Sequence, residues 1–564
     1  MSRKMRAFKK WMKWQGVECS DALELVATTN SFWVRALCDL DDGDVVASIP
    51  KKSCLTVKTS GARKMIEEAE LEGILGLAVA VMYERSLGPL SPWFGYLQLL
   101  PSSEPIPLVW SLSEIDSLLA GTELHKQRKN RGRPLKGGMK DHFSDFCCTF
   151  KYNETGRQIV KDDKALIYED WRECIEPLLT SVSLQLKAEH FGVKEYLAAK
   201  SLIASRSFEV DDYYGCGMVP LADLFNHKTG AEDVHFTSSY SELNNDADNE
   251  KHGNDNIQDD DNPGPTKRSS HSGGECFSAS DLESSHSELD DDAHNDEHEN
   301  DNNEPRGDSI SGSDSEFSSV SGDDLTVLEM IMVKKVKAGD EVFNTYGSLG
   351  NAALLHRYGF AEPDNQYDIV NLDLELVVQW SSSRFSHRYS RRRLSLWRKL
   401  DYSGCVSQNS EYFEISFDGE PQVELLVLLY LILLPEEVYA ELDLVVSITS
   451  GFEKSKGFKL SNKDVILFEK GFESSNSVLL TDGVCAALLA LADIRESLYG
   501  SSRLEDDIKT LNCCCPVTEP KTYYSLVLRI SERRILEKLR CYASGSATMQ
   551  TNEGGKTRKR AKIE

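Results

Sequence analysis

The spacing of apolar residues divides the chain into a mixed N-terminal part and a helical C-terminal part. In the first 120 residues, VVASIP after the turn DDGD predicts a strand, and LGLAVAVMYERS predicts a helix. The basic, aromatic start MSRKMRAFKKWMKW predicts an amphipathic helix rather than a secretion signal. Residues 122–200 have a mainly helical pattern. Over residues 378–545, apolar residues recur at three- and four-residue spacing, as in VELLVLLYLILLPEEVYAEL, which predicts a second, all-α domain.

A long polar segment interrupts this pattern. From about residue 238 to residue 324 the chain consists mainly of Asp, Asn, Ser, Glu and His. Such a composition cannot bury enough apolar surface to offset chain entropy, so we predict a disordered acidic insertion there. Ordered sequence resumes at LTVLEMIMVKKVKAGDEVFNTYG, which predicts two strand-like runs around the turn KAGDE. The insertion therefore interrupts a folded domain that we expect to span residues 1–370, and residues 546–564 are predicted to form a basic, disordered tail.

The charge of the chain is concentrated in this insertion. The net charge is −27 over 564 residues, and residues 241–324 alone contain 25 acidic and 4 basic residues. The other residues, 66 acidic and 60 basic, are near balance. A basic stretch, HKQRKNRGRPLKGGMKDH, interrupts the helical pattern of residues 122–200, but it lacks interleaved aromatic residues. We therefore expect a solvated loop there and no direct binding of nucleic acid.

Several functional classes are disfavoured by the sequence. The 14 cysteines have no repeated metal-ligand spacing, and three adjacent cysteines at 513–515 rarely converge on one tetrahedral ion, so we expect reduced thiols and no metal site. The longest apolar run, residues 423–434, is too short to span a bilayer, so we expect a soluble protein without a membrane partner. We also expect a monomer. The chain also lacks the phosphate-binding loop, the HExxH zinc motif and the GxSxG nucleophile motif.

Three separated segments carry polar residues in a pattern that suggests chemistry. They are SRSF at residues 205–208, MVPLADLFNHKTG at 218–230, and VFNTYG at 342–347 followed by LHRYGF at 355–360. In the second segment a short apolar run ends in Asn226 and His227. Burying this pair is costly unless both side chains find hydrogen-bond partners, so the pair either stabilises the fold or holds a ligand.

In this order, the three segments resemble those of the SET-domain methyltransferases, most closely the subgroup related to the Rubisco large-subunit lysine methyltransferase. Each segment alone is a weak signal, but the three together, with about a dozen residues separating the two Tyr-Gly pairs, are specific. The resemblance covers residues 20–370 and, more weakly, 380–545. It implies an α+β fold: a β-rich SET catalytic domain with a helical insertion at 122–200, followed by an all-α substrate-binding domain.

The resemblance also implies an activity, S-adenosylmethionine-dependent protein-lysine N-methylation. A sulfonium methyl donor already carries a good leaving group, so the enzyme needs only to align a neutral amine with the methyl carbon. The implied catalytic residue is Tyr346, whose hydroxyl would orient the amine. The implied cofactor-binding residues are Arg206, Asp223, Asn226, His227, Tyr358, Gly359 and Phe360. Two structural alternatives stay open: Arg206 only bridges parts of the fold, or Tyr358 belongs to the core.

The sequence departs from the family pattern near the N-terminus. Where the family places glycine close to the cofactor, residues 29–34 read TNSFWV and contain no glycine. Trp33 alters the adenosyl pocket, weakens cofactor affinity, or points elsewhere. This departure leaves open a catalytically weak SET-fold binding module that presents the acidic segment to basic proteins. A histidine methyltransferase is a second alternative, because the lining of the substrate channel cannot be read from the sequence.

The resemblance and the charge pattern also indicate a substrate class and a location. The string NTYG…HRYGFAEPDN is most similar to members that methylate nuclear and ribosomal proteins, so we expect a basic protein substrate such as a ribosomal protein or a histone. The acidic insertion is either a solvated spacer or a segment that attracts such a substrate. The terminal cluster KTRKRAK suits a nuclear address, with the cytoplasm as a second location.

Overall fold

A computed structural model of the chain describes residues 3–27, 32–125, 160–180, 186–238, 327–400, 412–452 and 479–557. These residues belong to one compact unit built from the segments 1–240 and 323–564. The predicted acidic insertion and the basic loop lie outside the described residues, apart from the first residue of each, and so do residues 558–564 and residues 28–31 of the TNSFWV region.

The strands form small antiparallel sheets. They are β1 Glu18–Cys19, β2 Leu23–Ala27, β3 Phe32–Ala36, β4 Val45–Pro50, β5 Leu55–Thr56, β6 Ser207–Asp211, β7 Gly215–Met218, β8 Val234–Ser238, β9 Val327–Met332, β10 Val370–Asp373 and β11 Tyr412–Ile415. The strand orders are β1-β4-β9-β8, β5-β7-β6, β2-β3 and β10-β11. Since Ser238 at the end of β8 lies opposite Leu328 in β9, the acidic insertion connects two neighbouring antiparallel strands.

Helices surround these sheets and dominate the C-terminal third of the chain. They are α1 Arg3–Gln15, α2 Arg63–Glu68, α3 Gly73–Ser86, α4 Phe94–Leu97, α5 Leu112–Leu118, α6 Val160–Asp170, α7 Glu176–Thr180, α8 Val193–Arg206, α9 Asn351–Tyr358, α10 Leu374–Arg384, α11 His387–Lys399, α12 Val423–Leu433, α13 Glu436–Phe452, α14 Asp482–Ser497, α15 Leu504–Cys513 and α16 Pro520–Thr557. The apolar pattern therefore predicted α1, β4 and α3 correctly, and the α+β fold class is confirmed.

The buried apolar residues form two main cores. The residues of one core lie between Met5 and Val342 in the sequence. This core joins α1, α3 and α8 to the sheets around β4 and β7. The second runs from Val370 to Ala543 and lies among the C-terminal helices with β10 and β11. A smaller cluster, which includes Leu355 of α9 and Leu528 of α16, connects α5, α9 and α16. The predicted boundary between a catalytic and a helical domain stays a prediction.

Two local features differ from the sequence prediction. The run after KAGDE does not form a second strand: it makes only isolated bridges, those of Asn344 with His227 and with Val234. The reason is that Val342 N–H donates to Val34 O, whereas Asn344 N–H donates to Asn226 O, so the run passes from one partner segment to another. In addition, α16 continues to Thr557, through the first part of the predicted tail. Within the described part of the chain, no helix combines the length and apolar character needed to cross a bilayer.

Candidate active site

The segment MVPLADLFNH forms a strained turn that leads into the polar residues. After β7 the chain turns at Leu221, which has φ +78° and ψ −48°, and a short 3-10 helix, Ala222–Leu224, follows. A branched side chain in this region of φ and ψ is strained by about 1–3 kcal/mol and persists only when its surroundings fix it. Leu221 is completely buried, so core packing supplies that constraint. Backbone strain of this kind often marks a functional site.

Two distant segments of the chain meet at His227 and Tyr346. The main-chain N–H of Tyr346 donates to Nδ1 of His227 at 3.0 Å, and the two rings stack with their centroids 5.1 Å apart. The hydroxyl of Tyr346 donates to the main-chain oxygen of Phe225 at 3.2 Å. Because Nδ1 accepts a hydrogen bond, the neutral imidazole carries its proton on Nε2, which lies 3.4 Å from the hydroxyl of Thr229. The second and third sequence segments are therefore joined directly.

The third segment completes an aromatic cluster around this junction. The ring of Tyr358 stacks on Tyr346 with a centroid distance of 4.3 Å, and Phe360 lies 6.2 Å from His227 and 6.3 Å from Tyr358. Tyr346, Tyr358 and Phe360 are only half-buried, so parts of these rings are accessible.

Gly359 turns the chain between Tyr358 and Phe360. It follows the last residue of α9, has φ +81°, and donates its N–H to the carbonyl oxygens of Leu354 and Leu355. A side chain at this position would be strained by that conformation, and its Cβ would lie 3.3 Å from Ile106. The described contacts therefore explain the glycine at position 359 by its structural role, which is to end α9.

Asn226 is held by protein groups on both sides. Its side-chain amide donates to Oε1 of Glu341 at 2.8 Å and lies 3.4 Å from the main-chain oxygen of Phe32. Its own main-chain oxygen accepts the N–H of Asn344 at 2.9 Å. These bonds place Asn226 between β3 and the strand-like run that contains Glu341.

A cluster of charged residues lies beside the aromatic rings, and we call it the open cluster. Its members are Tyr96, Glu104, Arg206 and Asp223. Nε of Arg206 donates to Glu104 at 2.6 Å, Nη1 donates to the main-chain oxygen of Asp223 at 3.0 Å, and Tyr96 donates to Oδ2 of Asp223 at 2.8 Å. Among the described residues, Nη2 of Arg206 donates no hydrogen bond and Oδ1 of Asp223 accepts none.

Burial determines the protonation of the central groups. It raises the pKa of the Tyr346 hydroxyl well above its ordinary value, although the charge of Arg206 acts in the opposite direction. It lowers the pKa of His227, so the imidazole is neutral at pH 7. Burial also raises the pKa of Asp223 to about 6, against the effects of Arg206 and Tyr96. The site therefore presents a protonated phenol, a neutral imidazole and a carboxyl group that titrates below neutral pH.

The available polar groups and aromatic faces of the site fit S-adenosylmethionine, the cofactor that the resemblance implies. Nη2 of Arg206 is a free donor for a carboxylate, and Oδ1 of Asp223 is a buried acceptor without a partner among the described residues, suited to an ammonium group. The half-buried faces of Tyr346, Tyr358 and Phe360 suit a sulfonium cation or an aromatic base.

The structure thus brings together the residues that the sequence singled out, in two adjoining groups. Asn226, His227, Tyr346, Tyr358 and Phe360 form one group, and Arg206 with Asp223 forms the other. Their individual roles as catalytic and cofactor-binding residues stay predictions.

Sequence reasoning missed three partners of these residues. Tyr96 and Glu104 lie in the segment SPWFGYLQLLPSSEPIPLVW, whose aromatic and proline content indicates an ordered loop but no particular contact. Glu341 ends the turn KAGDE, five positions before Tyr346, and a charged residue in a turn indicates no particular contact.

Sequence comparison finds relatives among lysine methyltransferases. The chain is 25% identical to the ribosomal lysine N-methyltransferase 3 of Saccharomyces cerevisiae over 349 residues, which is 60% of this chain and 58% of that protein. It is 23% identical to the N-lysine methyltransferase setd6 of Xenopus tropicalis over 408 residues, 70% of this chain and 65% of that protein. The chain thus matches less than two thirds of the length of these two relatives. No family model matches the chain.

Comparison with solved structures identifies the fold. The SET domain of Rubisco LSMT bound to lysine and AdoHcy superposes with a TM-score of 0.55 at 17% identity, covering 97% of this chain and 92% of that one. A structure of Rubisco LSMT bound to AdoMet gives a TM-score of 0.54 and covers the same fractions of the two chains. Together with the sequence relatives, this confirms the predicted resemblance to the LSMT-like group of SET-domain lysine methyltransferases.

Proposed function

We propose that this chain, which has the SET fold of the Rubisco LSMT-like group, is an S-adenosylmethionine-dependent protein-lysine N-methyltransferase. The observation that carries the proposal is the junction of Tyr346 with the Asn226–His227 segment, more than 100 residues earlier in the chain. The names of the relatives, lysine methyltransferases from yeast and vertebrates, support the same reaction.

The residues of the junction are arranged to orient an amine. S-adenosylmethionine, when bound, supplies a methyl group on a positively charged sulfur. Since the hydroxyl of Tyr346 donates its proton to Phe225 O, its lone pairs remain as acceptors for an amine N–H. The raised pKa of this hydroxyl keeps it protonated, so the donated bond persists over the neutral range. His227 fixes the main chain of Tyr346 through Nδ1, which holds the phenol in position.

The same surroundings favour the reactive form of the substrate. A lysine ammonium has an unperturbed pKa of about 10.4 and must lose a proton before it can attack. A partly desolvated aromatic site favours the neutral amine. The rings of Tyr346, Tyr358 and Phe360 supply that environment, while the open cluster offers unpaired groups for the amino-acid end of the cofactor.

We further propose a basic substrate protein, with a ribosomal protein as the first candidate. Two of the relatives are named ribosomal lysine N-methyltransferases, from Saccharomyces cerevisiae and Schizosaccharomyces pombe. The acidic insertion would favour encounter with a basic partner. The basic cluster KTRKRAK supports a nuclear location, where such proteins are assembled or bound.

The first test of the reaction is the substitution Tyr346→Phe. It removes only the hydroxyl, so we expect methyl transfer to fall about 100- to 1000-fold while cofactor affinity stays nearly unchanged. Tyr213→Phe is the matched control, because Tyr213 is 60% exposed and lies outside the site. Isothermal titration with S-adenosylmethionine and transfer of labelled methyl groups measure the two quantities. Undiminished turnover of Tyr346→Phe would contradict the assignment.

The second test identifies the acceptor. The purified protein is incubated with a labelled methyl donor and a ribosomal or nuclear extract, and the labelled protein is analysed by mass spectrometry. We expect the label on a lysine of a basic protein. Label on histidine would replace the proposed acceptor, and cofactor binding without any labelled protein would favour a binding module.

A further inference from the structure

The first helix presents a row of positive charges to solvent. Its sequence, RKMRAFKKWMKWQ, contains six basic and no acidic residues. Four of the basic residues follow each other at spacings of three and four, so they lie along one side of the helix. We call this set the cationic stripe: Arg3, Arg6, Lys10 and Lys13. All four are exposed, and Trp14, at the end of the stripe, is 74% exposed.

The opposite side of α1 packs against the protein core and so holds the cationic stripe in a fixed position. Its apolar residues, Met5, Phe8, Trp11 and Met12, are all buried. The indole N–H of Trp11 donates to Pro92 O at 2.7 Å, and its ring stacks on Phe8. Gly95 makes this approach possible, since a Cβ there would lie 2.3 Å from Cβ of Trp11. Because the apolar side is already used by the core, α1 cannot insert that side into a membrane.

The stripe is not neutralised within the described part of the chain. No described acidic side chain forms an ion pair with its members, whereas other exposed lysines do: Lys335 pairs with Asp41 and Lys337 with Asp39. Beyond the end of α1, Glu18 and Asp21 share a surface groove with Lys13, so acidic neighbours occur at one end of the stripe. Unpaired cations in a fixed row favour a polyanionic partner.

We propose that the cationic stripe and Trp14 form a binding surface for single-stranded RNA. The stripe spans ten residue steps, which is about 15 Å along a helix and long enough to follow a short stretch of phosphate backbone. The exposed indole adds a face on which a base can stack, the combination of charge and aromatic surface used for single strands. The sequence predicts no nucleic-acid binding for the basic stretch at residues 125–142. That stretch lies almost entirely outside the described residues. The helix α1 is a different surface, so that prediction does not apply to it.

This inference does not rest on the proposed reaction, because binding can be measured without a methyl donor. The experiment is fluorescence anisotropy of a labelled 20-nucleotide single-stranded RNA of mixed sequence with the full-length protein, at several salt concentrations. The triple variant Arg6→Gln, Lys10→Gln, Lys13→Gln should bind about 10- to 100-fold more weakly and show a salt slope smaller by about 2, since each neutralised phosphate contributes about 0.7. Trp14→Ala should weaken binding about 5- to 100-fold.

A second basic helix provides the matched control. The variant Arg388→Gln, Arg391→Gln, Arg398→Gln changes the net charge equally, at exposed positions of α11, and should leave RNA affinity within about twofold of the unmodified protein. Equal losses in both triple variants, or no loss in the α1 variant, would overturn the proposal. So would unchanged binding by Trp14→Ala, or tighter binding to anionic phosphatidylserine vesicles than to RNA. Because all substituted side chains are exposed, we expect each variant to keep its thermal midpoint.

Discussion

Two arginines, one completely and one largely buried, hold similar sets of partners in different parts of the molecule. Each contacts two carboxyl groups and lies near a tyrosine that donates to one of them. One is Arg206 of the open cluster. The other is Arg495, which belongs to what we call the closed cluster. Its members are Glu123, Arg495, Tyr499 and Glu532.

The two clusters differ in how fully the arginine is used. In the closed cluster Arg495 has a completely buried side chain, and each guanidinium nitrogen donates: Nε to Asn371 O, Nη1 to Gly121 O, and Nη2 to both Glu123 and Glu532. In the open cluster the side chain of Arg206 is 20% exposed, and its Nη2 has no acceptor among the described residues.

This difference is the basis on which we propose a structural role for the closed cluster and a binding role for the open cluster. Buried polar groups are nearly always paired, because an unpaired one costs about 1–3 kcal/mol. The closed cluster follows this rule and joins residues 121–123, α14 and α16. The open cluster does not follow it, since Oδ1 of Asp223 is buried and accepts no hydrogen bond from the described residues. We propose that a ligand supplies the missing partner of this carboxyl group.

The largest expected effect is the loss of stability when Arg495 is replaced by methionine. The substitution leaves two buried carboxylates without their cation, which should lower the free energy of unfolding by about 3–5 kcal/mol. Arg206→Met should cost less, about 1–3 kcal/mol, because water reaches its partly exposed side chain, but it should abolish methyl transfer. Urea denaturation and a transfer assay measure the two quantities.

Arg540→Met is the control for both arginine variants. Arg540 pairs with Asp493, which is 73% exposed, so the change should stay within about 0.5 kcal/mol. If Arg206→Met destabilised the protein as strongly as Arg495→Met and left methyl transfer intact at temperatures where it is folded, the two clusters would have the same structural role.

The second prediction concerns pH and Asp223. Burial raises the pKa of this carboxyl group from its ordinary value of 3.8 to about 6, so the folded state holds the proton more tightly than the unfolded chain. The resulting stabilisation is fully present below pH 4 and is lost as the pH rises through 6. Over that window the free energy of unfolding should fall by up to about 3 kcal/mol on account of this group.

Asp223→Asn should remove this fall, because the amide does not titrate. The comparison is the unfolding free energy of variant and unmodified protein at matched pH values between 4 and 7. Asp493→Asn, at an exposed carboxylate, should leave the profile unchanged. Identical pH profiles for Asp223→Asn and the unmodified protein would mean that Asp223 is solvated in the folded state. Added S-adenosylmethionine should stabilise the unmodified protein at pH 7 more than the variant, since only the carboxylate can pair with its ammonium group.

The comparison also shows what the sequence could and could not predict. The apolar periodicity predicted α1, α3 and β4, because those patterns are local. The motifs containing Asn226 and Tyr346 predicted the junction only through their resemblance to the SET-domain pattern, in which these segments belong to one site. Nothing local predicted the contacts of Glu104, which lies 102 positions from Arg206.

The second strand-like run, after KAGDE, does not form a strand because contacts with distant segments determine its hydrogen bonds. Its β-branched and aromatic residues suit a strand, but hydrogen bonds to β3 at Val342 and to Asn226 at Asn344 divide the run between two partners. Such competition among tertiary contacts is not encoded in the spacing of residues.

The most conservative substitutions are those of the two tyrosines, because each removes a single hydroxyl group. Tyr499 donates to Glu532 at 2.5 Å, and Tyr96 donates to Asp223 at 2.8 Å. Removing either hydroxyl deletes a buried hydrogen bond to a carboxyl group, so Tyr499→Phe and Tyr96→Phe should each lower the free energy of unfolding by about 1–3 kcal/mol.

The two tyrosine variants should differ in function. Glu532 keeps Arg495 and the N–H of Glu123 as partners, so Tyr499→Phe should retain its kcat and its KM for S-adenosylmethionine. Within the described part of the chain, Asp223 keeps only Arg206 as a charged partner, so Tyr96→Phe should let its carboxylate reorient and raise that KM. A rise in KM for both variants, or for neither, would show that the missing hydrogen bonds of the open cluster do not distinguish it as the binding site.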